Sequence, residues 1–297
     1  MPRSLPVSRL VLVLALLMSL PGLRPAFAEA TTACPALFAQ GRAPLLTNPK
    51  LRERTTALCF DAFAVLHSGI SRTPLYAAER LTRASVAAAR RVEREDAFHE
   101  EDRLPEDDRA NLSDYVHSGF DRGHLAPAGD MPSAAAQGQS FSLANIVPQN
   151  RAANRGLWAG IEESVRRLAS ERGEVFVVTG PVFSGRSVDT IKNRVLVPTQ
   201  LYKAIYDPRT GEAGAYLAPN EAGGSWKAVS LATLQDIAGI DVFPGLPEAA
   251  KAKTMDLPEP REFSRGEARG ESFGDFLKRL AHDALKRIWR EVMRAIF

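Results

Sequence analysis

Cysteine is nearly missing from this chain: 297 residues hold two, Cys34 and Cys59. So small a supply excludes a disulfide-dense scaffold and, without a further Cys/His cluster, a structural zinc site. Long apolar runs are scarce too. Residues 10–20 form one, and no second stretch approaches the length that crosses a bilayer. There is no internal repeat, which excludes solenoids and propellers. An excess of one charge is also lacking. The formal net charge is +3, and Arg3, Arg9 and Arg24 lie in the first 28 residues, which hold no acid. Setting these three aside leaves 35 basic and 35 acidic side chains. Any basic groove must therefore come from local arrangement rather than global charge.

What is present begins with the leader. Arg3 and Arg9 precede the apolar run, and Ala26-Phe27-Ala28 is a small-x-small cleavage site, so residues 1–28 read as a secretory signal with the mature chain beginning near Glu29. An uncleaved membrane anchor is the competing reading. Export to the periplasm or the medium makes Cys34 and Cys59 a disulfide, with two buried free thiols as the alternative.

The body reads as one domain over residues 29–245. Residues 58–66 (LCFDAFAVL) and 74–81 (PLYAAERL) have the composition of strands, as do 175–181, 195–204 and 214–217. Residues 90–111 are dense in charge, without apolar periodicity, and read as a surface excursion. Between residues 152 and 171 the spacing of Leu157, Trp158, Ile161, Val165 and Leu168 predicts a helix. A sheet with segregated helices makes the class α+β. Residues 246–271 turn to Pro, Glu, Lys and Arg and read as a linker. In residues 272–297, Phe273, Phe276, Leu277, Leu280, Ala284, Ile288 and Val292 trace one face of an amphipathic helix. Three roles stay open for it: docking on the body or a partner, lying on an anionic membrane, or gripping nucleic acid.

The chemistry concentrates in Asp121-Arg122-Gly123-His124-Leu125-Ala126-Pro127-Ala128-Gly129-Asp130. His67, His99, His117 and His282 each have a structural role as the default. His124 differs in its neighbours: Arg122 can hold phosphate by a planar fork, and Gly123 permits close backbone approach. Downstream stand Asn145-Ile146-Val147-Pro148-Gln149, then Asn154 at the helix start and Glu162 further along it. Taken alone, Asn154 is a helix cap and Glu162 a solvated carboxylate.

Together these blocks resemble the DNA/RNA non-specific endonucleases of the ββα-metal (His-Me finger) class, which include endonuclease G. DRGHLAPAG (121–129), NIVPQ (145–149), NRGLWAGIE (154–162) and the Thr179-Gly180-Pro181 landmark, taken as a turn, occur in order within residues 58–244. The resemblance implies a central antiparallel sheet flanked by helices, with His124 as the base that activates water and Asn154 binding a single Mg²⁺, for which Mn²⁺ can substitute. It implies that Glu162 orients water at the metal, Arg122 stabilises the phosphate and Asn145 shapes the site. It also implies an upstream arginine, placed at Arg80. The substrates implied are DNA and RNA, gripped by the phosphate backbone and cut to 5′-phosphate products; a homodimer is a further expectation. A base of this kind is expected to be a neutral imidazole near its ordinary pKa. The family pattern is departed from at residues 131–140, rich in Ala, Gln and Ser, which places the substrate-side loop in question. A cleavage-dead nucleic-acid-binding or uptake protein, and a phosphodiesterase of small esters, are the rival functions.

Overall fold

The computed structural model describes residues 32–185 and 187–261. The leader, the last ten residues of the expected linker and the expected C-terminal helix lie outside the described residues.

Nine strands and four helices carry the argument. In chain order they are β1 (Thr55–Cys59), β2 (Phe63–Ser68), β3 (Thr73–Thr82), α1 (Arg83–Ala89), β4 (Asp121–His124), α2 (Ala134–Ser140), β5 (Ile146–Gln149), α3 (Ala159–Arg172), β6 (Glu174–Val182), β7 (Gln200–Tyr206), β8 (Ala213–Pro219), β9 (Lys227–Val229) and α4 (Leu231–Ala238). Seven of the strands form one antiparallel sheet in the order β9-β8-β7-β6-β3-β2-β1. The α+β class and the antiparallel sheet expected from the sequence are both there.

Burial explains the pairing. Strands β3, β6 and β7 are covered on both faces, so they read as near-continuous apolar runs rather than alternating ones. On one face, Phe63, Val65, Ala77, Leu81, Val177 and Ile205 pack against Ile161, Val165 and Leu168 of α3. On the other, Tyr76, Ala78, Val178, Tyr202 and Ala204 pack against Leu231 and Leu234 of α4 and against Phe38 and Phe243.

Four expectations are corrected. Residues 58–66 are not one strand: Asp61 and Ala62 turn the chain between β1 and β2, and a polar turn residue inside an apolar run is the signal. The Thr179-Gly180-Pro181 landmark is no turn but the interior of β6, paired with β7 on one side and, at Thr179, with β3 on the other. Its glycine is required because a Cβ at Gly180 would stand 2.4 Å from the Tyr202 hydroxyl and 2.7 Å from the Leu75 carbonyl. The strand expected over 195–204 is interrupted before Gln200, with Pro198 unable to donate to a ladder. Residues 246–261 are not a loose linker, since Leu246, Met255 and Leu257 are buried in the two cores and the Tyr216 hydroxyl donates to the Pro258 carbonyl at 2.6 Å.

Cys34 and Cys59 form a disulfide with Cα atoms 6.0 Å apart, tying the N-terminal segment to the end of β1. Closing a loop of that length stabilises the chain by about 3 kcal/mol in the chain-entropy model.

Candidate active site

A ββα unit stands over the α3 face of the sheet. Strands β4 and β5 pair antiparallel, His124 opposite Ile146 and Asp121 opposite Gln149. The chain then enters a helix spanning residues 151–172. Asn150 caps it, its side chain accepting from the Ala152 and Ala153 amides at 3.0 and 3.2 Å. The capping role that Asn154 would hold by default is thus filled, and Asn154 is free for other work.

The second turn of this helix, Asn154–Trp158, is a π turn. In a regular α-helix, residues eight apart are offset by about 80°. A π turn takes roughly one residue more, so two turns use up the eight and bring Asn154 and Glu162 into line. Both line one cleft of about 1010 Å³, together with Arg94, Phe98, Arg122, His124, Arg155 and Arg166. This cleft brings together four of the six residues to which the resemblance gives a role: His124, Arg122, Asn154 and Glu162.

His124 is 8% exposed, and its ring is wedged between Phe98 and Phe141 at centroid distances of 5.4 and 4.9 Å. Nε2 is buried without a hydrogen-bond partner. Burial, then the positive charge of Arg94, pushes its pKa down to about 3; Asp96 opposes the shift and Arg122 adds to it. The expectation of an ordinary pKa is corrected, because a desolvated ring between two arginines resists a further positive charge.

Asn154 Nδ2 donates to Asp121 Oδ2 at 3.2 Å. A carboxylate only accepts, so this contact fixes the amide orientation and leaves Oδ1 on the other side. Asp121 is held by Arg155 at 2.7 and 3.1 Å and by Arg151 at 3.2 Å. Partial burial acts to raise its pKa, but the hydrogen bonds from Arg155 and Asn154 outweigh it and hold the carboxyl below the usual range. Glu162 is half-buried on α3, and burial raises its pKa to about 7 against the pull of Lys203 and Arg166.

Asn145 lies beneath the cleft rather than in it. It is fully buried; its Oδ1 accepts from the Ala126 amide at 3.0 Å, and its Nδ2 donates to the Ala126 and Ser140 carbonyls at 2.9 Å. It shapes the site by locking the backbone just past His124. Gly123 has a similar meaning: a Cβ there would sit 2.1 Å from Gln149 Oε1, so the close approach it permits is that of a side chain on the paired strand.

Arg80 is misplaced by the sequence reading. It alternates with Glu79 along β3, points to the far face and pairs with Glu174. Arg94 and Arg166 occupy the cleft instead. Arg94 was missed because it sits in the charge-dense excursion, where no periodicity marks it. The questioned residues 131–140 turn out to pin that excursion: helix α2 is capped by Ser133, and Gln137 Oε1 accepts from the Glu95 amide at 2.9 Å. Of the histidines given structural roles, His67 is buried against the Asp108 carbonyl at 3.0 Å and His99 contacts the Ala97 carbonyl at 2.9 Å.

Residues 45–249 match the model of the family described as DNA/RNA non-specific endonuclease. The chain belongs to that family. It is similar to Nuclease C1 of Cunninghamella echinulata var. echinulata, 34% identical over 54% of this chain and 70% of that protein. It is likewise similar to the mitochondrial nuclease EXOG of Danio rerio, 35% identical over 65% of this chain and 63% of that one. Human mitochondrial EXOG is 30% identical over 68% of this chain and 60% of its own length. A solved chain of the EndoG/EndoGI complex superposes with a TM-score of 0.59 at 24% identity, covering 67% of this chain and 92% of that one, which shows the shared fold. The chain thus spans less than two thirds of the length of these two EXOG relatives.

Proposed function

We propose that this nuclease hydrolyses phosphodiester bonds of DNA and RNA without reading sequence, with His124 as general base and one Mg²⁺ held by Asn154. The observation that carries this reading is the convergence of His124, Asn154 and Glu162 on the walls of one arginine-lined cleft. The donor set suits the ion. A neutral amide oxygen and one nearby carboxylate are hard ligands, and magnesium takes one or two such groups and keeps its waters. Among the described residues no group of three or more His, Cys, Asp or Glu side chains could hold a metal, so a dense protein cage is not on offer. When bound, the ion would supply Lewis-acid stabilisation of charge on the phosphate and leaving oxygens.

The remaining work falls to side chains. His124 is neutral at physiological pH and can accept water's proton; a phosphate anion entering the cleft opposes the arginine charges that depress its pKa. Arg122, stacked 4.2 Å from the Phe98 ring, and Arg94, 5.3 Å from the Phe141 ring, are exposed cations at the mouth that would grip the phosphate. Arg166 stands deeper, bonded to Asp130 at 2.7 Å. Glu162 would hold water beside the ion. Attack by water with departure of the 3′-oxygen leaves 5′-phosphate products. Contacts confined to phosphate carry no base information, so broad substrate range is expected, with affinity falling as salt rises.

The leader and the Cys34–Cys59 disulfide support maturation outside the cytoplasm. The test of function is direct: mature protein is offered supercoiled plasmid or unstructured RNA with Mg²⁺, with and without EDTA. Nicking and linearisation that EDTA abolishes support the reading. Binding without cleavage in every metal would replace it with that of an inactive nucleic-acid-binding protein.

A further inference from the structure

The sheet beneath the cleft buries two ionisable side chains that the mechanism above leaves unused. Glu79 on β3 and Lys203 on β7 are both completely buried. Strand register places them on one face: Lys203 opposes Thr179 of β6, Thr179 opposes Ala77 of β3, and Glu79 lies one inward position beyond. They do not form the ion pair that their charges suggest. Lys203 Nζ donates to Thr179 Oγ1 at 2.7 Å, reaches the Leu125 carbonyl at 3.4 Å, and lies 5.9 Å from the Trp158 ring centroid. Neither carboxyl oxygen of Glu79 has a hydrogen-bond partner.

An ionised carboxylate without donors is very costly in a dry interior. Glu79 is therefore the neutral acid: burial first, then Asp130 and Glu162, push its pKa well up, while Lys203 and Arg166 pull the other way. The groups acting on Glu162 come from every neighbouring element: Lys203 and Glu79 from the sheet, Arg166 from its own helix, Asp130 from the segment after β4, and Arg94 from the excursion.

Lys203 touches both halves of the site. Leu125 follows the base on its strand, and Trp158 closes the π turn that aligns Asn154 with Glu162. We propose that Lys203 is a positioning residue for the cleft, its buried side chain holding the strand of His124 and the helix of Asn154 together. Glu79 does not serve the chemistry; it occupies the adjoining space as an uncharged acid. This inference rests on the nuclease reading above.

The experiment compares Lys203→Met, Glu79→Gln and the double variant with wild type in two measurements. One is steady-state cleavage of a fluorogenic oligonucleotide in Mg²⁺. The other, independent of activity, is difference infrared spectroscopy of the carboxylic carbonyl band at neutral pH, assigned to Glu79 by its loss in Glu79→Gln. For Lys203→Met, kcat is expected to fall about 100-fold, as for a small misplacement of reacting groups, with KM within about threefold. Glu79→Gln keeps kcat within about threefold of wild type and removes an acid band already present, and the double variant behaves as Lys203→Met does.

Wild-type kcat in Lys203→Met would overturn the proposal. So would recovery in the double variant, a 100-fold loss in Glu79→Gln or the absence of a Glu79 acid band, each of which marks an ordinary ion pair. If Lys203→Met does not fold, Lys203→Gln, which keeps a hydrogen-bond donor without the charge, takes its place with the same expected loss in kcat. A wild-type chain that cuts nothing in Mg²⁺ defeats the nuclease reading instead, and the infrared band still decides whether Glu79 and Lys203 form an ion pair.

Discussion

Residues 79 and 80 are neighbours in the chain and opposites in the fold. Arg80 points to the far face of the sheet, where it is exposed and tied to Glu174, while Glu79 points under the cleft, buried and without a partner. The whole sheet repeats this contrast. Its far face is filled by aliphatic and aromatic side chains from α4 and from the N-terminal segment that the disulfide anchors. Its cleft face carries Glu79 and Lys203 and supports a wall with an unpartnered His124 Nε2. One face is packed with apolar side chains, and the other buries an unpartnered acid, a lysine and the bare His124 Nε2 at a cost in stability.

If that division is right, substitutions on the two faces separate rate from stability. The largest effect belongs to the cleft. His124→Ala should lose about 10²–10⁴-fold in turnover, the range a general base contributes, while binding of a non-cleaved duplex persists; near-wild-type cleavage would break the comparison. Asn154→Ala comes next, with a loss that saturating Mg²⁺ rescues poorly, whereas full rescue would return Asn154 to a structural role. On the far face, Leu234→Ala should destabilise the protein by about 2–5 kcal/mol in a denaturant titration and leave kcat of the folded fraction unchanged.

The pH dependence sharpens the same contrast at smaller scale. A histidine whose folded pKa is depressed to about 3 weakens the native state as pH falls below 6.5, and the loss stops growing below about pH 3. Relative to His124→Phe, wild type should therefore lose about 2 kcal/mol between pH 7 and pH 5. Glu162 acts with the opposite sign. Its raised pKa means that stability is lost as pH rises from about 4.5 through 7, and Glu162→Gln should flatten that slope. The smallest effect is at Arg80: Arg80→Ala removes an exposed ion pair, worth about 0–1 kcal/mol, and should not change cleavage, whereas Arg94→Ala should weaken substrate binding and its salt dependence.

Much of the site was legible because its motifs are local. Asp121 to His124, Asn145 to Gln149 and the helix from Asn154 were found as strings, and the apolar spacing of Leu157 to Leu168 marked the helix that carries Glu162. What stayed hidden depends on tertiary context. The strands of the ββα finger are four residues each, too short for periodicity to show. The π turn leaves the helix pattern almost intact in the letters. Lys203 had a signal that went unused, as the one charge in the apolar string LYKAIY, whereas Glu79 in LYAAERL is masked by Arg80 beside it. Arg94 had none, since only the packing of Phe98 and Phe141 around His124 gives its loop a meaning.

The account turns on whether one phosphate can be reached from both walls of the cleft. A crystal structure of the His124→Ala variant with Mn²⁺ and a short duplex tests this by anomalous scattering. The account predicts one ion, held by Asn154 Oδ1, beside a phosphate of the strand that passes position 124. An ion bound elsewhere, or a duplex that leaves Asn154 untouched, would contradict it.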